Sequence, residues 1–403
     1  MNDIVKARPQ SMGFNDPFVI VGLFLISLQF FQIGPAQSGQ LWVLGTLALV
    51  VLRGGLAPRL QEVLCYVLFM ATALVLTFFA DYDRVKAVEQ VIKFAIVYPA
   101  CYLVGRSLGS HYQSRNIPFG FTSLWLFLVF QFLVQHFEVP VLHQHVPFMQ
   151  GALHGTFKER NWLAVFFFLG AYLLFLRSDR KPKSAALFAS VCIAVALLSG
   201  SKTILIPCGV VLLLQFKGGG VLKWLAVAAG AGLFYYRFGP ELSGELLRVR
   251  LEEERGLALI QVIELIERNF VGYGFGFVES YFSTFWIAVR GLGAGTNSVF
   301  SSPLDLFVIA GIPGVLMWMM FFAGVGLGWT AVTVLAPVAL WSLVNPLHQS
   351  EIVYLFCGWL VSYALAQQAS TLQAASGTST VGHERSVKGD RLLNGRSLEA
   401  RHG

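Results

Sequence analysis

The sequence predicts an all-α integral membrane protein of about twelve transmembrane helices with one large periplasmic loop. Three observations predict it. Charged residues make up 13% of the 403 residues, about half the share in a soluble domain. Hydrophobic residues make up 56%, and the mean hydropathy is +0.65. The apolar residues are grouped in runs separated by short polar stretches. So few charges could not cover a soluble fold of this size, which excludes the water-soluble classes. Nucleic-acid binding goes with them, despite a net charge of +7. The 35 Phe and 9 Trp suit positions facing lipid and its interfaces.

A helix crosses the hydrocarbon core in about 20 mostly apolar residues. Candidate spans fall at 18–34, 41–53, 61–79, 89–105, 120–137, 161–177, 184–199, 203–216, 221–236, 303–325, 327–343 and 351–367. An even number puts both termini on one side, and the distribution of Lys and Arg selects that side. With the N-terminus cytoplasmic, the short inner stretches hold Lys6, Arg8, Arg53, Arg59, Arg106, Arg115, Arg177, Arg180, Lys181, Lys183, Lys217 and Lys223. The opposing short loops hold only Arg84, Lys86, Lys158, Arg160 and Lys202. Both termini are therefore expected to be cytoplasmic. Met1 to Pro17 lacks a small-residue cleavage site, so the first apolar run reads as a span rather than a signal peptide.

Four regions follow: spans one to nine over 1–236, a periplasmic loop over 237–302, spans ten to twelve over 303–367, and a disordered cytoplasmic tail over 368–403. In the large loop, Leu251, Leu259, Ile263 and Ile266 recur at helical spacing and predict an amphipathic helix on the membrane or against the bundle. Gly272, Gly274 and Gly276 then read as a flexible turn. A second outer loop, 138–160, carries His143, His145 and His154. The five cysteines lie singly inside apolar runs, which suggests packing rather than disulfides or zinc.

Charged residues near membrane depth are costly and tend to mark sites. Lys158, Arg160 and Asn161 open span six. Ser201 and Lys202 lie in the turn Ser199-Gly-Ser-Lys-Thr203. Arg255 begins the apolar helix of the large loop. Asp305 opens span ten, and His348 and Glu351 lie in the turn before span twelve. Each has an ordinary alternative: a snorkelling cation, a helix cap, a solvated charge beside Glu252 to Glu254, or a loop histidine. Taken together, the outer cations run against the topological charge bias and suggest anion binding. Phosphate or diphosphate fits, since Arg gives bidentate contacts and Lys a point charge. The outer face has no Asp-x-Asp pair or carboxylate cluster suited to a divalent metal. Neither a metal nor another cofactor is expected, and protein cations would neutralise the leaving group.

These residues resemble the O-antigen ligase and polysaccharide polymerase superfamily. Phe157-Lys-Glu-Arg-Asn161 is similar to its Phe-x-x-x-Asn segment, and Ser199-Gly-Ser-Lys-Thr203 to its Ser-x-Ser-Arg turn. Arg255, Leu259 and Asn269-Phe-Val-Gly-Tyr-Gly-Phe-Gly276 resemble its Arg helix and Gly-x-Gly turn. Ser301 to Gly314 resembles the segment that opens span ten. Lys202 stands where the family usually has Arg, and Phe300-Ser301 where it usually has His-Asn.

The resemblance implies a membrane glycosyltransferase (GT-C-like) fold in a bacterial inner membrane that polymerises undecaprenyl-diphosphate-linked repeat units at the periplasmic face, into O-antigen or exopolysaccharide. Lys158, Arg160, Asn161, Ser201, Lys202 and Arg255 would bind the diphosphate, with His348, Glu351 or Asp305 as general base. The lipid bilayer, a flippase and a chain-length regulator would be its partners. The alternatives are ligation of finished glycan to lipid A core, a secondary transporter, or a non-catalytic assembly subunit.

Overall fold

In the computed structural model, described residues are all those outside 1–13, 34–35, 54–57, 81, 83, 114, 146–150, 179, 218–219, 221–253, 285–298, 324–328 and 372–403. The chain is an all-α membrane protein. Its helices are α1 (Asp16–Ser27), α2 (Ser38–Leu52), α3 (Leu60–Phe79), α4 (Arg84–Ile92), α5 (Tyr98–His111), α6 (Phe121–His136), α7 (Arg160–Arg177), α8 (Pro182–Ser199), α9 (Leu205–Gln215), α10 (Glu254–Arg268), α11 (Phe277–Thr284), α12 (Ser302–Ala323) and α13 (Trp329–Ser342). A last helix, α14, spans Glu351–Thr371. Among the described residues, the only sheet is a hairpin pairing β1 (Gln32–Ile33) with β2 (Ala36–Gln37).

Six of the helices are long and apolar enough to cross a membrane, and five others are shorter apolar helices. They fall where the apolar runs predict, except that span nine, 221–236, lies outside the described residues. Burial separates the inner helices from the outer ones. Within its most apolar window, α7 is 78% buried and α3 only 17%. The α7 core includes Phe167, Phe168, Tyr172 and Phe175. In contrast, α3 turns Leu64, Val67, Val75 and Phe78 outward, as lipid contact requires.

Two helices depart from regular geometry. Between α4 and α5 the chain makes a π-helical turn over Lys93–Val97, a feature frequent at functional sites. The Tyr66 hydroxyl donates to the Phe94 carbonyl within that turn. In α12, Ala310 (φ −144°, ψ 24°) and Gly311 (φ 58°, ψ −141°) leave helical geometry just before Pro313. The bend is sharp: a Cβ on Gly314 would overlap the Leu306 carbonyl, although residues eight apart in a straight helix are separated by about 12 Å. The single span expected at 303–325 is therefore two helical segments joined by a break.

The glycine turn of the large loop occupies that break. Pro313 has no N–H for the Ile309 carbonyl, which accepts from the Gly274 N–H at 2.9 Å. The Tyr273 N–H bonds the Val308 carbonyl at 2.8 Å. Gly274 (φ 90°) could not carry a side chain, because a Cβ would lie 2.6 Å from the Thr77 backbone nitrogen of α3. The Tyr82 hydroxyl donates to the Tyr273 and Phe275 carbonyls. The expected flexible turn is instead a buried wedge between α3, α4 and α12.

The α10 face also differs from the sequence reading. Ala258, Val262 and Leu265 are buried, whereas Leu259 and Ile263 are exposed with Ile260. Leu251 lies outside the described residues. The buried face joins Val278, Phe282 and Val308 in a small core of its own, so the helix packs on the bundle and turns a second apolar face outward. Of the large loop, 237–253 and 285–298 lie outside the described residues, as does the tail beyond Thr371.

Candidate functional site

The connections after α1, before α7, after α8 and before α14 meet at one end of the bundle, and buried glutamines hold them there. On α6, Gln135 Oε1 accepts the N–H groups of His154 (2.7 Å) and Gly155 (2.9 Å), while Gln131 Oε1 accepts the N–H and hydroxyl of Thr156. Gly155 has φ +57°, and a Cβ there would overlap Gln131. Beyond the end of α1, Gln29 donates its N–H to the Thr156 carbonyl and accepts the Lys158 N–H, both at 3.0 Å. The loop is thereby fixed up to the first residue of α7, Arg160.

Two separated motifs are joined here. Asn161 Oδ1 accepts the Ser201 hydroxyl at 2.9 Å, and Arg160 lies against Gly200, 3.5 Å from the position a Cβ would take. Lys202, at the start of a short 3₁₀ turn (Lys202–Ile204), is exposed beside them. Lys158 is also exposed, but surrounding protein holds its pKa below the ordinary lysine value. Desolvation is the main cause and the positive charge of Lys93 adds to it, opposed by Glu351 and Glu89.

Glu351, at the start of α14, is 8% exposed. Its Oε1 accepts from Gln40 Nε2 at 2.9 Å, and Gln40 also accepts the Gln37 N–H at the start of α2. The carboxylate is thus held in place within electrostatic reach of Lys158.

Asp305 and His348 form a separate, deeper pair. His348 Nε2 lies 3.2 Å from Asp305 Oδ2, and the two side chains are 0% and 1% exposed. Gln349 Nε2 donates to the same oxygen at 3.2 Å. The Ser302 hydroxyl accepts the His348 N–H and donates to the Asn345 carbonyl. Phe94 stacks on the imidazole at 6.3 Å and Trp318 meets it edge-on at 6.5 Å. His348 Nδ1, Asp305 Oδ1, Asn345 Nδ2 and Ser350 Oγ are buried without hydrogen-bond partners among the described residues. With aromatic rings over it, this pair does not meet the surface. Of the three carboxylate or imidazole groups expected at the site, Glu351 is the one within electrostatic reach of a cation there.

Arg255 belongs to the first turn of α10, and the placement of its side chain lies outside the described residues. Sequence reasoning missed Lys93, Glu89 and Gln40. Lys86, Glu89 and Lys93 form a ladder on α4 and the π turn, with Lys93 Nζ 2.8 Å from Glu89 Oε1 and Lys86 Nζ 3.9 Å from Glu89 Oε2. Their i, i+3 and i, i+4 spacing was the available signal, but it straddles the expected start of span four.

Among the described residues, no group of three or more His, Cys, Asp or Glu is placed to hold a metal. An apolar crevice of about 140 Å³ lies between α1, α6, α7 and α14, lined by Leu23, Phe24, Phe127, Phe166 and Phe356. Phe157, the residue before Lys158, packs its buried ring 5.7 Å from that of Phe166. The exposed Lys158 can accept an anionic group, and the crevice, which also meets Phe119, Ser123 and Gly170, lies deeper along α6 and α7. No family model and no curated protein matches the chain.

Proposed function

We propose that the protein is a membrane glycosyltransferase that polymerises undecaprenyl-diphosphate-linked repeat units at the periplasmic end of its bundle. The observation that carries the reading is the electrostatic reach between Lys158 and Glu351, at the end of the bundle where Asn161 and Ser201 join two polar turns. Ile20 and Phe24 at the crevice are exposed, so it opens sideways to lipid, from which a polyprenyl chain would enter.

The diphosphate lies against Lys158, Arg160 and Lys202, with Arg255 completing the set by resemblance. An acceptor sugar hydroxyl attacks C1 of the donor glycan. The C1–O bond to the diphosphate breaks and its electron pair leaves with the phosphate. The cations stabilise that developing charge by electrostatic preorganisation. Glu351 takes the hydroxyl proton as general base. Asp305 and His348, enclosed below, act as positioning residues that fix the turn carrying Glu351. Ligation to lipid A core uses the same donor and differs only in acceptor.

Binding of an isoprenyl diphosphate to the purified protein in nanodiscs, followed by native mass spectrometry, tests the site. Lys158→Gln weakens binding by about tenfold, the scale of one charge-assisted contact. Equal binding by both proteins removes Lys158 from the site.

One observation favours a different class. A broken helix and a buried Asp–His pair are features that also occur in secondary transporters. In proteoliposomes, solute uptake driven by a proton gradient and abolished by Asp305→Asn would establish that reading instead.

A further inference from the structure

The outer loop that carries Lys158 contains a cluster that glycan transfer does not use. His143 and His154 are 9% and 3% exposed, with ring centroids 4.7 Å apart and planes inclined by 30°. Each ring binds a backbone carbonyl through Nδ1: His143 to Gly155 at 2.9 Å and His154 to Phe157 at 3.0 Å. A carbonyl only accepts, so Nδ1 carries the proton on both rings and each Nε2 presents a lone pair. Neither Nε2 has a hydrogen-bond partner among the described residues. Phe30 closes one side, its ring meeting both imidazoles edge-on at 6.4 and 6.2 Å. His145 is exposed, two residues from His143 and within electrostatic reach of His154.

We propose that His143 and His154 are two ligands of a zinc-type divalent metal ion, with His145 swinging in as a third. The geometry fits in three respects. Metal-bound histidines characteristically donate the other ring N–H to a carbonyl or carboxylate, which fixes the tautomer, and both rings here do so. Two imidazoles bound through Nε2 at about 2.0–2.1 Å to one tetrahedral ion have centroids roughly 5 Å apart, close to the 4.7 Å present. The carbonyls that orient the rings belong to a loop already fixed by Gln131 and Gln135. Imidazole ligands suit zinc and copper rather than calcium or magnesium.

Such an ion closes the loop 143–154 on itself, four residues before Lys158. Its role is to clamp the segment that presents Lys158, Arg160 and Asn161. The site does not depend on the glycosyltransferase reading, since its ligands lie outside the anion-binding set.

The test uses the full chain without a histidine tag, purified in detergent, stripped with a chelator and titrated with zinc sulfate by calorimetry. One zinc ion per chain is expected. His154→Gln weakens binding by more than about 100-fold, exceeding the effect of losing an outer-shell partner. His145→Gln weakens it less and guards against misfolding of the buried variant. X-ray absorption of the zinc-loaded protein shows two or three imidazole nitrogens at about 2.0 Å. Stoichiometric zinc bound equally by wild type and His154→Gln, or no zinc bound by a folded wild type, overturns the proposal.

Discussion

At the scale of single residues, Asn161 shows how distant motifs become one site. Its carbonyl oxygen receives the hydroxyl of Ser201, a residue only 3% exposed. Asn161→Ala leaves that hydroxyl without its partner, and stability falls by about 1–2 kcal/mol, read as a lower melting temperature in detergent. Asn161→Asp keeps the acceptor and retains most of the stability. If both variants melt like wild type, the bond contributes nothing.

Lys158 makes a prediction in pH. Its pKa is lowered, first by desolvation, so it loses its charge at a lower pH than an ordinary lysine. Anion affinity through this residue therefore weakens with rising pH before ordinary lysines titrate, and the early phase is absent in Lys158→Gln. The reverse sign holds for His154, which is also desolvated and faces His143 and His145. The unfolded chain takes up that proton first as pH falls below the ordinary histidine value of 6.5. Thermal stability of the metal-free protein thus declines on acidification, and less so in His154→Gln.

At the scale of elements, the broken α12 and the glycine wedge explain each other. Pro313 and Gly311 release two carbonyls, and the wedge supplies the N–H groups they need. Gly274→Ala must both adopt φ near +90° and push into Thr77. The expected loss is about 2–3 kcal/mol, measured by thermal unfolding. Gly45→Ala in α2 is the contrasting substitution: its Cβ meets nothing within 4 Å, so stability rises by up to about 1 kcal/mol. Equal melting of the two variants would show that the wedge carries no packing.

The Ala310-Gly-Ile-Pro313 signal for this break stands in the sequence, but an apolar run of spanning length conceals it. The π turn is hidden for the same reason. The α10 face was misread because that helix has apolar residues on two sides, so spacing alone does not say which side meets protein. The loop before α7 depends on Gln29, Gln131 and Gln135, polar residues at the ends of apolar helices whose partners lie 19 to 129 positions away. Nothing local in the sequence marks such pairs. By contrast, the positions of the helices were legible because lipid solvent imposes length and polarity on each of them.

At the scale of the whole molecule, the helices gather Lys158, Arg160, Asn161, Ser201, Lys202 and Glu351 from three connections at one end. The opposite end holds a different set of cations: Arg180 donates to Gln215 and Tyr363, Arg177 to the carbonyls of Gln113 and Arg115, and Arg106 to Glu62. Those arginines have protein partners and brace the bundle, whereas Lys158 is exposed at its end. The proposed transfer of glycan from a lipid diphosphate belongs to the first end. The direct measurement is the glycan profile of a deletion strain complemented with wild type or with Lys158→Ala at equal protein level. Single repeat units are expected in the deletion strain, with long polymer restored by wild type and little polymer with Lys158→Ala. An unchanged glycan profile in the deletion strain contradicts the proposed transfer, and long chains that persist on the carrier lipid assign ligation in place of polymerisation.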